Sequence, residues 1–173
     1  MLGLAAALAV CPAATLARGA VAGVPEERTL AFRHTHTGEE LSVAYAAGSA
    51  YLADALASVN WFLRDFRNGA VHPIDPQLLD QLHRLAAITG TKARFEVISG
   101  FRSPVTNQAL RARGGGGVAE RSLHLQGRAI DIRLPDVPLA DLRDAALSLR
   151  AGGVGYYQAS QFVHVDTGPV RRW

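Results

Sequence analysis

Alternation of apolar and polar residues predicts several β-strands along the chain. In each of these runs, successive side chains point to opposite faces, which is the period of a strand. The first two runs are separated by Thr37, Gly38 and Glu39, a short glycine-containing sequence that predicts a hairpin loop. The predicted strands cover residues 28–34, 40–46, 94–98, 129–134 and 162–166.

Apolar residues spaced three and four apart predict four helices. We expect the first to run from a cap at Ser49 to the Asn-Gly pair at 68–69. The second begins at Asp75 and Pro76, an N-cap followed by proline at the first helical position, and ends at Gly90. The remaining two helices are predicted over residues 105–113 and 138–150.

The composition is that of a single globular domain. The chain has 173 residues, of which 49% are hydrophobic, and we place the domain at residues 27–173 with no internal repeat or linker. The net charge is +3, and the basic residues are scattered, which argues against a nucleic-acid-binding surface. Cys11 is the only cysteine, so the domain can form no disulfide and supply no thiolate metal ligand.

Residues 1–22 are predicted to be a secretion signal. Residues 2–16 form an apolar stretch rich in Ala and Leu, whose length suits a signal peptide better than a membrane span. A basic segment before this stretch is missing, and a short buried N-terminal helix is the alternative. The sequence before Cys11 matches a lipoprotein signal only weakly, because Val10 is bulky. We therefore expect an exported protein without a membrane-spanning helix.

Three residues form the strongest chemical pattern in the sequence. His124 lies seven positions before Asp131, and His164 lies in a later apolar, β-prone run, so we expect all three in β-like segments. Two imidazoles and one carboxylate can hold a tetrahedral zinc ion with one position open for water. Gly127 lets the chain turn so that the first two side chains point at one ion. The alternative is that these are ordinary histidines and a solvated carboxylate, although unpaired charges are costly beside apolar neighbours.

Arg102 is a candidate ligand-binding residue. It follows the strand predicted at 94–98 through a glycine turn, so we expect it at the mouth of the sheet. Its planar guanidinium matches a carboxylate or an oxyanion, and the alternative is a surface arginine on a turn. We expect His34 and His36 to be outward-facing polar residues beside the hairpin rather than metal ligands.

Four motifs together resemble a known family of zinc peptidases. They are Ser-Gly-Phe-Arg-Ser at 99–103, Ser-x-His-x-x-Gly-x-Ala-x-Asp at 122–131, Gly-Val-Gly-Tyr-Tyr at 153–157 and Phe-Val-His-Val-Asp at 162–166. This set is similar to the zinc D-Ala-D-Ala carboxypeptidase superfamily. Within it, the chain most resembles the murein endopeptidase K family, periplasmic enzymes that cut peptidoglycan cross-links. The resemblance covers residues 28–173.

The resemblance implies an α+β fold with a small antiparallel sheet flanked by helices. It also implies one zinc ion per chain and peptidoglycan stem peptides as the substrate in the periplasm. We expect the protein to be a monomer. The implied zinc ligands are His124, Asp131 and His164. The candidate substrate-binding residues are Arg102, Ser103, Ser122 and Gln126, of which Arg102 also contacts the transition state.

The sequence departs from the superfamily at the position of the general base. Many relatives carry an acidic residue three positions before the last ligand, where this chain has Gln161, which cannot accept a proton at neutral pH. Asp166 is our candidate for the catalytic base, because strand alternation places it on the same face as His164. The alternative role for Asp166 is a hydrogen bond to the imidazole that binds the metal.

The implied mechanism is metal-assisted hydrolysis of an amide. Zinc polarises the scissile carbonyl and lowers the pKa of its bound water from ~15.7 to about 7. A carboxylate then relays the proton, and Arg102 holds a substrate carboxylate or stabilises the oxyanion. Two other functions stay open: a carboxypeptidase or dipeptidase that trims terminal D-Ala, and a non-catalytic wall-binding module stabilised by zinc. The missing acid at residue 161 favours the module.

Overall fold

The computed structural model describes residues 26–113 and 118–173. The predicted secretion signal at 1–22 and the glycine run at 114–117, for which we expect a flexible loop, lie outside the described residues. Within the two described ranges, no helix combines the length and the apolar character needed to cross a membrane.

Strands and helices alternate irregularly along the described chain. The strands are β1 (Glu27–His34), β2 (Glu40–Ala47), β3 (Ala50–Tyr51), β4 (Phe95–Ser99), β5 (Ala129–Arg133), β6 (Gly153–Tyr157), β7 (Phe162–Asp166) and β8 (Arg171–Arg172). The helices are α1 (Ala53–Phe62), α2 (Pro76–Thr89), α3 (Pro104–Ala112), α4 (Leu139–Leu149) and one 3-10 helix (Leu123–Gln126). All five predicted strands occur within one residue of their expected bounds, whereas β3, β6 and β8 were not predicted.

The strands form one mixed sheet in the order β3-β2-β1-β4-β5-β7-β6-β8. The pairs β1–β4 and β6–β8 run parallel, and the other pairs are antiparallel. The expected combination of helices and strands is confirmed, but the expected small antiparallel sheet is wrong, because the sheet has eight strands and is mixed. The parallel pair β1–β4 is joined by a long crossover that contains β2, β3, α1 and α2, since a hairpin cannot join parallel strands.

The core lies between the sheet and its helices. α2 and α4 pack against each other, α2 contacts β1, and α4 contacts β6 and β7. The caps predicted for α2 are confirmed: the Asp75 side chain accepts a hydrogen bond from the Gln77 backbone N–H, and Gly90 ends the helix. Burial of each apolar side chain contributes about 1.5–3 kcal/mol. The largest apolar side chains with almost no exposure are Tyr45, Phe32, Phe95, Leu63, Leu78, Leu79, Leu82, Leu85, Ile130, Ile132 and Leu142.

The first helix is shorter than the sequence predicts. Ser49 does not cap it, because the chain first forms the edge strand β3, which pairs with the end of β2. The helix ends at Phe62, several residues earlier than expected. Beyond it, the Asp65 carboxylate accepts hydrogen bonds from the backbone N–H groups of Arg67 and Ser103. These bonds stabilise the turn and join it to the start of α3.

His34 faces the core, and the expectation that it points outward is wrong. Its ring is 1% exposed and packs edge-on against Phe62 and Phe66, with its Nδ1 accepting hydrogen bonds from the backbone of His36 and Thr37. Burial, followed by the charge of His36, lowers the pKa of His34 to about 4. The imidazole is therefore neutral at pH 7 and stabilises the hairpin. His36 is exposed, as predicted.

Candidate metal centre

Three side chains predicted as metal ligands converge on one point. The Nε2 atom of His124 lies 3.3 Å from Oδ1 of Asp131 and 3.2 Å from Nδ1 of His164. The same Asp131 oxygen lies 2.9 Å from the His164 nitrogen. The three residues are 2%, 5% and 7% exposed, so their polar groups are removed from water together. Among the described residues, they form the one group whose ligand atoms are close enough to share an ion.

Strand pairing places two of these ligands side by side. β5 pairs with β7, and Asp131 lies directly opposite His164 in the antiparallel register. Directly paired residues project from the same face of a sheet, so both side chains point to the same side. The residues on either side in both strands are buried apolar side chains of the core: Ile130, Ile132, Val163 and Val165.

His124 reaches the site from a 3-10 helix, so the expectation of a strand there is wrong. The helix ends at Gly127, whose φ of +64° lies in the left-handed region that glycine adopts without steric cost. A Cβ at this position would lie 2.1 Å from the carbonyl oxygen of Pro73. The Gly127 carbonyl in turn accepts a hydrogen bond from the Asp75 N–H at 2.9 Å. The turn that aims His124 at β5 is thus packed directly against the start of α2.

Each imidazole is oriented by a hydrogen bond on the side away from the site. The Nδ1–H of His124 donates to the carbonyl of Gly100 at 2.7 Å. The Nε2–H of His164 donates to Oδ2 of Asp166 at 3.1 Å. Because one ring nitrogen carries the donated hydrogen, the other presents its lone pair to the shared point, as in metal-binding histidines.

The donor set fits zinc. Zinc binds imidazole nitrogen and carboxylate oxygen at 2.0–2.2 Å, and a tetrahedron of that size separates its ligand atoms by about 3.3–3.5 Å. The three observed separations of 2.9–3.3 Å are close to that value. Three protein ligands leave a fourth tetrahedral position for water or substrate, which is the arrangement of catalytic zinc sites.

Burial and mutual charges set the protonation of the cluster. Burial raises the pKa of Asp131, but the charges and hydrogen bonds of His124 and His164 outweigh it and hold that pKa well below the ordinary value. Burial lowers the pKa of His124. Burial alone would also lower the pKa of His164, but hydrogen bonds to Asp131 and Asp166 outweigh burial, and the pKa of His164 is raised. A divalent ion at the shared point would supply the positive charge that the buried carboxylates favour.

Arg102 lies beside this cluster, as the sequence predicts. One guanidinium nitrogen is 3.5 Å from Oδ2 of Asp131, the oxygen not shared with the two histidines. The Arg102 side chain is buried, and burial lowers its pKa. Its Nε finds no hydrogen-bond partner within the part of the chain that the structure describes. Its backbone N–H donates to the carbonyl of His124 at 3.1 Å, which couples the Gly-Phe-Arg turn to the 3-10 helix. A guanidinium held in this way can receive an anionic substrate group.

A pocket of about 380 Å³ opens above the three ligands. Arginines and aromatic rings form much of its wall, so it suits an anionic chain with apolar parts. Besides the ligands, its lining residues are Arg102, Val118, Ala119, Arg121, Ser122, Leu123, Tyr157, Ser160, Phe162, Arg171 and Trp173.

The other candidate substrate-binding residues divide into two groups. Ser122 lines the pocket, as expected, but Ser103 and Gln126 do not. Ser103 caps α3, and its hydroxyl donates to the Asp65 carboxylate at 2.6 Å and accepts from the Asn68 amide at 2.8 Å. Gln126 is exposed outside the pocket. The structure thus gives Ser103 a local role at the start of the helix.

Gln161, at the family's usual base position, and Asp166, the candidate base, both lie outside the pocket lining. Gln161 is exposed, has a left-handed φ of 55° and donates from its amide to the carbonyl of Gln158. The Asp166 side chain is fully buried. One of its oxygens accepts backbone N–H groups, and the other accepts the Nε2–H of His164, on the far side of that ring from the cluster.

Two features of the pocket were missed from the sequence. Arg171 and Trp173 form part of its wall and come from a two-residue strand and the residue after it. So short a strand has no alternation to detect. The sequence signal that could have indicated them is the Arg-x-Trp tripeptide that follows the His-x-Asp motif by a few residues.

Comparisons with known proteins identify the family. A family model described as peptidoglycan L,D-endopeptidase MepK matches residues 22–173. The peptidoglycan L,D-endopeptidase MepK of Escherichia coli K12 is 46% identical over 154 residues, which cover 89% of this chain and 84% of that protein. The probable peptidoglycan L,D-endopeptidase MepK of Haemophilus influenzae is 41% identical over 172 residues, which cover 99% and 90%.

One solved structure shows a weaker similarity. The L-Ala D-Glu endopeptidase ChiX of Serratia marcescens aligns at a TM-score of 0.37 with 19% identity, covering 56% of this chain and 68% of that one. A TM-score this low does not define the fold.

The family match, joined to the His-Asp-His cluster, defines the class of protein. The chain is a metallopeptidase of the peptidoglycan endopeptidase class. It belongs to the MepK family, as the murein endopeptidase K resemblance of its four motifs indicates. This assignment favours an endopeptidase over the carboxypeptidase and over the non-catalytic module.

Replacing Gly127 by alanine should destabilise the fold strongly. Alanine in the left-handed region costs roughly 1–2 kcal/mol, and its Cβ would in addition clash with the Pro73 carbonyl. We expect the free energy of unfolding in urea to fall by about 3 kcal/mol or more. Gly69→Ala is the matched control, because its φ is +77° and nothing lies within 4 Å of its added Cβ. Equal losses in the two variants would contradict the packing argument.

Proposed function

We propose that this chain is a zinc-dependent endopeptidase that hydrolyses peptide cross-links of peptidoglycan. The observation that carries the proposal is the convergence of His124, Asp131 and His164 below an open pocket. The curated relatives are named for L,D-endopeptidase activity, so we propose that the bond cut joins an L-centre to a D-centre of the stem peptides.

The three converging residues would hold the zinc ion through two imidazole nitrogens and one carboxylate oxygen. When bound, zinc supplies Lewis acidity, which polarises the scissile carbonyl and lowers the pKa of water. The hydrogen bonds from His124 to Gly100 and from His164 to Asp166 fix the two rings in the productive tautomer. The protein therefore presents preorganised ligands and need not rearrange to bind the ion.

Arg102 would bind the substrate on the carboxylate side of the cluster. Its guanidinium is buried beside Asp131 and reaches the pocket, where it can hold a stem-peptide carboxylate or stabilise the oxyanion of the tetrahedral intermediate. Because Asp131 would share its charge with the metal ion, the guanidinium would keep a free donor for this second partner.

Asp166 would orient His164 and would not take the proton from water. Its carboxylate lies behind the imidazole and is occupied by backbone N–H groups and a charged guanidinium. Among the described residues that line the pocket, Asp131 is the only carboxylate. We therefore propose that the proton passes to solvent water rather than to a dedicated carboxylate base.

Replacing His124 by alanine should abolish activity and metal binding together. A site that loses one of three ligands binds zinc far more weakly, so we expect the zinc content to fall from one per chain to near zero. Muropeptide digestion followed by mass spectrometry should show loss of cross-linked dimers with the wild type and none with the variant. His36→Ala, an exposed histidine outside the pocket, is the control. Stoichiometric zinc with full activity in His124→Ala would refute the ligand assignment, and loss of one Ala from monomers would indicate a carboxypeptidase.

Replacing Asp166 by asparagine distinguishes orientation from base catalysis. If Asp166 orients His164, the variant should bind zinc about 10–100-fold more weakly, and excess zinc should restore most of the rate. The measurement is kcat at saturating zinc. A kcat that stays reduced by roughly 10²–10⁴-fold under that condition is the signature of a lost general base and would overturn this part of the proposal.

We also propose that the protein acts in the periplasm as a monomer and has no nucleic-acid partner, in keeping with its peptidoglycan substrate and scattered basic residues. Export by the predicted signal should remove residues 1–22. N-terminal sequencing of the mature protein is expected to begin near residue 23. A soluble cytoplasmic protein that keeps Met1 would count against export.

A further inference from the structure

The last strand lies against the part of the sheet that carries His164. β8 pairs with β6, and β6 pairs with β7, which contains that histidine. The chain continues this pairing at Trp173, whose N–H donates to the Val154 carbonyl at 3.2 Å and whose carbonyl accepts from the Tyr156 N–H at 3.0 Å. Residues 171–173, here called the strap, are therefore fixed at the edge of the sheet by their backbone.

The first strap residue reaches His164 through Asp166. One Arg171 guanidinium nitrogen lies 2.6 Å from Oδ2 of Asp166, and the other lies 3.2 Å from Oδ1. Oδ2 is the same oxygen that accepts the Nε2–H of His164. A guanidinium that engages both carboxylate oxygens fixes the plane of the carboxylate, and so it fixes the direction in which Asp166 holds the ring.

The last strap residue contacts the same ring directly. The centroid of the Trp173 ring lies 5.2 Å from that of His164, within the range of packed aromatic pairs. Space for the indole exists because Gly155 lies opposite His164 in the register, and a Cβ on Gly155 would come within 2.7 Å of the Trp173 ring. The indole N–H donates to the Tyr157 hydroxyl at 2.8 Å, which fixes the orientation of the indole.

The two side chains also support each other. The Arg171 guanidinium carbon lies 5.0 Å from the centroid of the Trp173 ring, a cation–π distance. Arg171 is 42% exposed and Trp173 is 50% exposed, so neither belongs to the hydrophobic core. Without Arg171, the buried Asp166 carboxylate still accepts hydrogen bonds from the Gly153 and Gly168 backbone N–H groups and from His164. Removal of either strap side chain should therefore leave the domain folded while it frees His164.

We propose that Arg171 and Trp173 are positioning residues that hold His164 in the geometry needed to retain the metal. The inference rests on the zinc site proposed above and goes beyond its ligands. Arg171 acts through Asp166, and Trp173 acts by packing on the ring and by covering it from solvent. Without either contact, the imidazole rotates more freely, and the metal dissociates faster.

The test measures how fast zinc leaves the full-length protein. Zinc-loaded Arg171→Gln and Trp173→Leu variants are mixed with an excess of a chromophoric chelator, and the dissociation rate is followed. We expect that rate to rise by about tenfold or more in each variant, the effect typical of a lost partner of a metal ligand. Thermal unfolding of the metal-free proteins is measured alongside, and we expect Tm values close to that of the wild type.

Two matched controls separate positioning from general damage. Arg172→Gln removes the same charge from the neighbouring strap residue, which does not contact Asp166. Trp61→Leu removes an exposed tryptophan on α1 that is not part of the pocket lining. Both controls should release zinc at the wild-type rate. Trp173→Phe, which keeps an aromatic ring, should lie closer to wild type than Trp173→Leu.

The outcomes are distinct. Wild-type dissociation rates in both Arg171→Gln and Trp173→Leu would overturn the inference and leave the proposed function intact. Faster zinc release from the variants at all four positions, the two controls included, would also overturn the inference. So would faster release that occurs only in variants whose metal-free form has a lower Tm than the wild type. A wild-type protein that takes up no zinc would instead refute the proposed zinc site, and the inference with it.

Discussion

The structure depends most on the pairing of β5 with β7. This register sets Asp131 opposite His164, and it is held by a row of buried apolar residues on the other face of the same strands. A shift of β7 by one residue against β5 would turn His164 into the core and its buried neighbours Val163 and Val165 outward, which separates His164 from Asp131. The hydrophobic core therefore specifies the geometry of the candidate metal centre, because the buried apolar residues that fix the register alternate with the candidate ligands along both strands.

Because the three candidate ligands are buried, each of them needs a polar partner behind it. The three candidate ligands are nearly inaccessible to water, and each polar atom that does not face the shared point has a partner: Gly100 for His124, Arg102 for Asp131 and Asp166 for His164. A buried imidazole or carboxylate without such partners would cost several kcal/mol. The same contacts that make the cluster tolerable in the fold orient its lone pairs, so stability and preorganisation have one physical origin.

Much of the site was predictable from the sequence, because the chemistry of ligands restricts their residue types. The His124, Asp131 and His164 set and the Gly127 turn follow from side-chain type and spacing, and the fold brings these residues together. Local conformation at His124 was not predictable, since four residues that alternate in polarity form a 3-10 turn as readily as a strand. Strand alternation correctly gave Asp166 the face of His164, but it carried no information on which side of the ring the carboxylate lies. The parallel crossover from β1 to β4 and the two-residue strand β8 depend on distant contacts, so no local pattern indicates them.

The central claim is that one zinc ion is bound by these three residues. X-ray absorption at the zinc edge on the purified, zinc-loaded protein tests it most directly. Two histidine nitrogens and one carboxylate oxygen at about 2.0–2.2 Å, with one further light ligand and no sulfur, is the expected first shell. A signal that shows no imidazole scattering, or one unchanged when His164 is replaced by alanine, would contradict the account.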